Sequence, residues 1–107
     1  MWFIFPQLDG LGHSPFAMRY AIKSIEEARA YLEHPVLGSR LRECSRALLD
    51  LPGRSASQVF GFPDDLKLKS CMTLFARVSG PNSLFEQVLA RYFNGQPDHR
   101  TVELLKA

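Results

Sequence analysis

The stretch that decides the fold is Leu37-Gly-Ser-Arg-Leu-Arg-Glu-Cys-Ser-Arg-Ala-Leu-Leu-Asp-Leu51. Its apolar side chains recur at alternating steps of four and three residues, which is the spacing of one face of an α-helix. The positions on that face are Leu37, Leu41, Cys44, Leu48 and Leu51. Charged side chains occupy the other face, and a Pro-Gly pair follows as a helix stop. The stretch therefore predicts a helix that buries one side.

Two further helix starts precede this stretch. Ser24-Ile-Glu-Glu27 is a capping box, in which the serine oxygen accepts a hydrogen bond from the Glu27 N–H and the glutamate reaches back. The pattern predicts a helix that ends near Glu33, just before a proline. Ser14-Pro15 is typical of an N-cap followed by the first helical position, and it predicts a short helix to about Ile22.

Downstream of the stretch, caps and breakers alternate with apolar residues at helical spacing, and no run alternates with the period of two that marks a strand. These signals predict helices over residues 55–60, 62–79, 83–93 and 97–105. We therefore expect an all-α fold, a single domain over residues 1–107 made of about five or six short helices. An irregular or extended apolar segment at residues 2–5 begins it.

Composition limits the classes of function. The chain is 46% hydrophobic and 22% charged, which is typical of a globular domain. Its 13 basic and 11 acidic residues alternate along the chain and leave a net charge of +2, which argues against nucleic-acid binding. The opening apolar run is too short for a membrane span or a signal peptide. We expect a cytoplasmic protein with no nucleic-acid or membrane partner, in which Cys44 and Cys71 are buried reduced thiols.

Familiar catalytic and metal-binding motifs are incomplete. Gly10-x-Gly12 lacks the third glycine and the βαβ unit of a dinucleotide site. Ser14 is better explained as a helix cap than as a nucleophile. The three histidines, at positions 13, 34 and 99, show no i, i+3 or i+4 spacing, and neither cysteine adjoins one. We therefore predict no metal site.

The densest polar cluster runs from Asp64 to Ser70. On a helix, Lys67 and Ser70 share one strip, so that a cation and a hydroxyl could face an anionic ligand. We expect the loop between Phe5 and Ser14 to approach this helix and to complete a site beside aromatic residues. The candidate ligand-binding residues are Gln7, Ser14, Asp65, Lys67 and Ser70. The simpler alternative is a solvated helix face with one ion pair.

Two functions remain open from the residues alone. The first is a domain that binds a small molecule or an anion, with enzymatic activity undecided and no cofactor that can be named. The second is a non-catalytic protein-interaction module that docks a partner through the apolar N-terminus or the arginine-rich helix.

Three blocks of the sequence carry a resemblance to a known family: WFIFPQLDGLGHSP, YAIKSIEEARAYLEHPVLGSRLRE and FGFPDDLKLKSCMTLF. In this order they resemble an uncharacterised bacterial family catalogued as domain of unknown function 1810, over essentially the whole chain. The resemblance implies a mainly α-helical fold and no established activity. Relatives of this type usually carry a further helical stretch before the first block. We expect this chain to lack that helix, which would expose aromatic side chains at residues 2–5 and allow self-association.

Overall fold

Six α-helices make up most of the part of the chain that the computed structural model describes, namely residues 5–8, 10, 21–51, 53, 55–61 and 64–106. The side chain of Ser57 is outside this description. The helices are α1 (Ile25–Glu33), α2 (Leu37–Asp50), α3 (Ala56–Phe60), α4 (Asp64–Ser79), α5 (Leu84–Phe93) and α6 (His99–Lys106). The all-α prediction is confirmed.

Helix α4 lies at the centre, where it packs against α1, α3, α5 and α6. Every residue from Ser70 to Phe75 is buried, so this part of the helix is enclosed on all sides rather than along one stripe. The Phe75 ring lies 5.7 Å from the Tyr31 ring of α1 and 5.7 Å from the Phe85 ring of α5. These aromatic contacts connect three helices through one buried side chain. Helix α2 packs across α1 and α5.

The helix starts follow the predicted capping chemistry, with one difference. The Ser24 hydroxyl accepts a hydrogen bond from the Glu27 N–H at 3.1 Å, as the capping box requires. The Glu27 carboxylate, however, accepts from the N–H of Lys23 at 2.7 Å rather than from that of Ser24. Ser83 caps α5 in the same way, by accepting from the Glu86 N–H at 3.2 Å.

The described part of the N-terminal segment, residues 5–8, packs against the helices. Phe5, Pro6 and Leu8 are buried, and the Phe5 ring packs edge-on against Phe60 with 6.0 Å between centroids. The N–H of Ile22 donates to the Gln7 carbonyl at 2.8 Å, forming an isolated parallel bridge between Leu8 and Ile22. Phe5 is therefore part of the core. Trp2, Phe3 and Ile4, which were expected to be exposed with it, lie outside the described residues.

The predicted helix from Ser14-Pro15 to about Ile22 is wrong at its end. Ala21 and Ile22 are not helical, because the Ile22 backbone pairs with the N-terminal segment instead. Residues 14–20, which would form the rest of that helix, lie outside the described part of the chain.

The C-terminal helix is held to α4 by a buried polar contact. The N–H of Asp98 donates to the Thr73 hydroxyl at 2.9 Å, and the Asp98 carboxylate accepts from the Thr101 N–H and hydroxyl at 2.9 and 2.6 Å. Thr73 and Thr101 are both fully enclosed. Among the described residues, every buried side-chain polar atom has such a partner. The position of α6 is therefore set by specific bonds as well as by apolar packing.

Helices α1 and α2 meet at a point that admits only glycine. A Cβ on Gly38 would lie 1.9 Å from the Leu32 carbonyl oxygen, far inside contact distance. The same oxygen accepts a hydrogen bond from the Arg42 guanidinium at 3.0 Å, which satisfies the end of α1. The absence of a side chain at Gly38 thus permits the close crossing.

We predict that Gly38→Ala lowers the free energy of unfolding, because the atom it meets is backbone and cannot rotate away. Overpacking typically costs about 1–3 kcal/mol, which exceeds the gain of about 1 kcal/mol from alanine's higher helix propensity. Each kcal/mol corresponds to a fall of about 4–8 °C in Tm for a domain of this size. Ser39→Ala, at the next and exposed position, is the control and should melt within a few degrees of the wild type. A Gly38→Ala variant with unchanged or higher Tm would contradict the account.

Candidate functional site

The structure brings together two of the residues that the sequence placed in one site. The Gln7 side-chain amide donates to the Ser70 hydroxyl at 2.8 Å, although 63 positions separate the two residues. The Ser70 hydroxyl in turn donates to the carbonyl of Lys67 at 3.1 Å. The N-terminal segment does approach α4, as the sequence analysis expected. Ser70 is 2% exposed, so both of its bonds are internal to the fold.

The charged members of the predicted site lie at the surface. The Lys67 ammonium is 3.7 Å from the Asp64 carboxylate, and the two side chains are 38% and 42% exposed. The Asp65 carboxylate accepts from the N–H of Leu66 at 2.9 Å. Ser14, the fifth predicted residue, lies outside the described residues. Lys67 and Asp65 thus each interact within the first turns of α4.

The electrostatics of this surface are nearly balanced. Two carboxylates occupy the first turn of α4, where the helix dipole favours negative charge. Lys67 faces one of these acids, and the Lys69 ammonium lies 5.8 Å from the Phe93 ring centroid, as a cation–π pair. These two aspartates and two lysines therefore carry no net charge between them.

The thiols differ in environment. Burial raises the pKa of Cys71 well above its ordinary value, so this thiol stays protonated and unreactive at neutral pH. Cys44 is half-buried, which corrects the expectation that both cysteines are buried. Burial also raises the pKa of Tyr31, and both cysteines add to that shift while Arg40 opposes it. Both thiols and the Arg40 guanidinium therefore lie close enough to the Tyr31 phenol to influence its pKa.

Within the described part of the chain, no three histidine, cysteine, aspartate or glutamate side chains lie close enough to hold a metal ion. Likewise, none of the helices described there combines the length and the apolar character needed to cross a bilayer.

A concave pocket of about 380 Å³ lies where the N-terminal segment, the start of α1 and the end of α6 meet. Apolar and polar side chains both line it, and we call these two sets of residues its apolar side and its polar edge. The described residues of the apolar side are Leu8, Ile25, Leu104 and Leu105. The polar edge is formed by Lys23, Ser24 and Glu26. We refer to the whole concavity as the α1–α6 pocket.

Several contacts hold the walls of the α1–α6 pocket in place. The bridge between Leu8 and Ile22 ties the N-terminal segment to the residues just before α1. Gly10 has a φ of +101°, a conformation that favours glycine. A Cβ at this position would lie 3.5 Å from the Leu104 side chain, so the two residues are in close contact. The Arg100 guanidinium donates to the Gly10 carbonyl at 3.5 Å. Three separate parts of the chain are thus joined around one concavity.

Sequence reasoning did not find this pocket. Lys23 precedes the capping box, Glu26 lies inside it, and both look like ordinary solvated charges. The one available signal was in α6, where Val102, Leu104 and Leu105 put apolar groups on more than one face of a helix of eight residues. All three are only half-buried. Leu104 and Leu105 line the pocket.

A second concave surface, of about 390 Å³, lies along the outward side of α2. It is lined by Ser39, Arg42, Glu43, Arg46, Ala47 and Asp50, all from one helix. Among the described residues, only α2 contributes to this lining, and its charges alternate in sign along the helix.

We predict that the Gln7–Ser70 hydrogen bond stabilises the fold. A double-mutant cycle with Gln7→Ala and Ser70→Ala, measured by urea unfolding, should give a coupling energy of about 0.5–1.5 kcal/mol. The control cycle combines Gln7→Ala with Ser39→Ala, because Gln7 and Ser39 share no hydrogen bond. Their two changes in the free energy of unfolding should add. Additivity in the first cycle would mean that the contact contributes no stability.

A family model and a solved structure are similar to this chain. The family described as protein of unknown function (DUF1810) matches residues 1–105. The crystal structure of a conserved hypothetical protein from Mycobacterium tuberculosis is similar, with a TM-score of 0.95 and 56% sequence identity over 99% of this chain and 76% of that one. No curated protein matches the chain. The resemblance seen in the three sequence blocks is confirmed, and the chain belongs to the DUF1810 family of unknown function.

Proposed function

We propose that the protein is a small-molecule-binding domain and that its ligand occupies the α1–α6 pocket. The observation that carries the proposal is that one concavity is lined by four apolar side chains together with a few polar and charged ones. Ligand sites typically have volumes of about 300–1,000 Å³ and combine mainly apolar walls with a few polar groups that orient the ligand. At about 380 Å³, the pocket is at the small end of that range.

The location of the pocket also supports binding. Its walls come from the N-terminal segment, α1 and α6, and α6 is held to the core through the Thr73–Asp98 bond. A pocket whose walls are fixed before binding loses little conformational freedom when a ligand enters. This makes the concavity better suited to binding than the single-helix surface on α2.

The sequence-predicted residues Gln7 and Ser70 acquire an indirect role in this proposal. Gln7 precedes Leu8, which belongs to the apolar side of the pocket. By bonding to the buried Ser70, the Gln7 side chain holds the segment that carries Leu8 against α4. We therefore assign these two residues to positioning the pocket wall.

The second candidate function, a protein-interaction module, would use the outward side of α2. Its support is the exposed row of alternating charges that includes Arg42, Glu43, Arg46 and Asp50. Exposed ion pairs contribute only about 0.2–1 kcal/mol each. A partner recognised through this surface alone would therefore bind weakly, and the pocket is the better-supported site.

We predict that 3-methylbutan-1-ol, a neutral probe with a small aliphatic group, binds saturably in the α1–α6 pocket. In a ¹H–¹⁵N NMR titration, the shifted amides should cluster at residues 23–26 and 104–105. Leu105→Gln should abolish saturable binding of the probe, because it places an amide on the apolar side of the pocket.

Leu66→Gln is the matched control for this experiment. It makes the same replacement at a leucine that is 49% exposed on α4 and lies outside the pocket. The control should bind the probe as the wild type does. Saturation that survives Leu105→Gln, or shifts confined to other parts of the protein, would refute the proposed site.

A further inference from the structure

We propose that His34 is an acid-sensitive joint between α1 and α2, which holds the start of α2 when its imidazole is neutral and releases it when the imidazole is protonated. The residue is exposed, so its ring can exchange a proton with water. It follows the last residue of α1, whereas the α1–α6 pocket lies at the start of that helix. The inference therefore goes beyond the proposed function and does not rest on it.

The backbone of His34 ends one helix and begins the next. Its N–H donates to the carbonyls of Ala30 and Tyr31 at 3.0 and 3.2 Å, which closes the last turn of α1. Its own carbonyl accepts from the Gly38 N–H at 2.9 Å, the bond that the capping residue of a helix makes. One residue thus occupies the end of α1 and the capping position of α2.

The imidazole supplies the side-chain cap of α2. Its Nδ1 atom accepts from the N–H groups of Val36 and Leu37, each at 3.1 Å. These are the second and third residues after His34, whose N–H groups a serine or aspartate cap normally binds. Pro35 stands at the position between, where the missing N–H of proline costs nothing. Val36, the last residue before α2, adds no side-chain cap of its own.

Protonation removes this cap. A neutral imidazole has one nitrogen that accepts a hydrogen bond, whereas both nitrogens of an imidazolium donate. A proton on Nδ1 would point at two N–H groups, and its positive charge would lie at the positive end of the α2 dipole. The fold and the proton therefore compete for one lone pair. Because the unfolded chain binds the proton without that competition, the free energy of unfolding should fall as the pH falls through the range in which histidine titrates.

Charged residues of both signs lie on the neighbouring turns. They are Glu33 at the end of α1 and Arg40 and Arg42 in the first turns of α2, all exposed. The Arg42 guanidinium is engaged by the carbonyl of residue 32. Of the three, Glu33 alone has the sign that would stabilise an imidazolium, and an exposed ion pair contributes little.

The helices that pack against α1 and α2 leave the joint to these groups. At the end of α1, α4 contributes the Phe75 ring beside Tyr31, whose phenol stays neutral because burial raises its pKa. Helix α5 binds the other end of α2, where Arg91 and Tyr92 donate to the carbonyls of residues 51 and 48. Within the described part of the chain, the imidazole bonds only to the two amides that it caps.

An NMR titration from pH 7.5 to pH 5 tests the local event. At pH 7.5 the imidazole ¹⁵N resonances of His34 should show the proton on Nε2 and a bare Nδ1, because only that tautomer can accept the two bonds. On acidification, the amide proton resonances of Val36 and Leu37 should move upfield as they lose their acceptor. Their midpoint should be that of the His34 ring.

His34→Asn distinguishes a titrating cap from a bystander. Asparagine is among the best capping residues and does not titrate, so this variant should keep α2 capped at both pH values. In urea unfolding, the unfolding equilibrium constant of the wild type, divided by that of His34→Asn, should rise about fivefold between pH 7.5 and pH 5, the effect of losing one typical cap.

His99→Asn is the matched control, since it makes the same replacement at another exposed histidine, the first residue of α6. In this variant the Val36 and Leu37 amides should move with pH as they do in the wild type. A ratio of unfolding constants that stays the same at both pH values would overturn the proposal. A proton found on Nδ1 at pH 7.5, or amide resonances that do not follow the ring, would overturn it as well.

Discussion

The rest of the structure depends on the complete burial of the middle of α4. Residues 70–75 are buried, and α1, α3, α5 and α6 all pack against the helix that contains them. Fully burying a large apolar side chain contributes about 1.5–3 kcal/mol, and this segment buries Met72, Leu74 and Phe75 together. Three polar residues in the run, Ser70, Cys71 and Thr73, are enclosed with them. Because they are buried, Ser70 and Thr73 form hydrogen bonds with other parts of the protein.

The polar groups of α4 act as attachment points for the two ends of the chain. Ser70 binds the side chain of Gln7 in the N-terminal segment, and Thr73 binds the backbone at the start of α6. Because the two ends are attached to one helix, they come together beside α1. The α1–α6 pocket is the space left between them, so the walls of the proposed binding site are attached to the core.

Local sequence patterns predicted the six helices of the described residues, but they did not predict the pocket. The four-three spacing of α2 and the caps at Ser24 and Ser83 act within a few residues, so they can be read directly. Ile22 was predicted to end a helix because nothing nearby shows that its N–H pairs with Gln7. The approach of Gln7 to α4 was expected only because polar and aromatic residues occur in both segments. Lys23 and Glu26 could not be grouped with Leu105, since tertiary packing brings the end of α6 to the start of α1.

Native-state amide hydrogen exchange tests the central role of α4 most directly. The account predicts that the amides of residues 70–75 exchange more slowly than those elsewhere in the described part of the chain. Their exchange free energy should equal that of global unfolding, because no local opening can expose them. Amides of α1 and α6 should exchange faster, through partial openings that leave α4 intact. If residues 70–75 exchanged faster than the amides of α2 or α5, α4 would not be the element on which the fold depends.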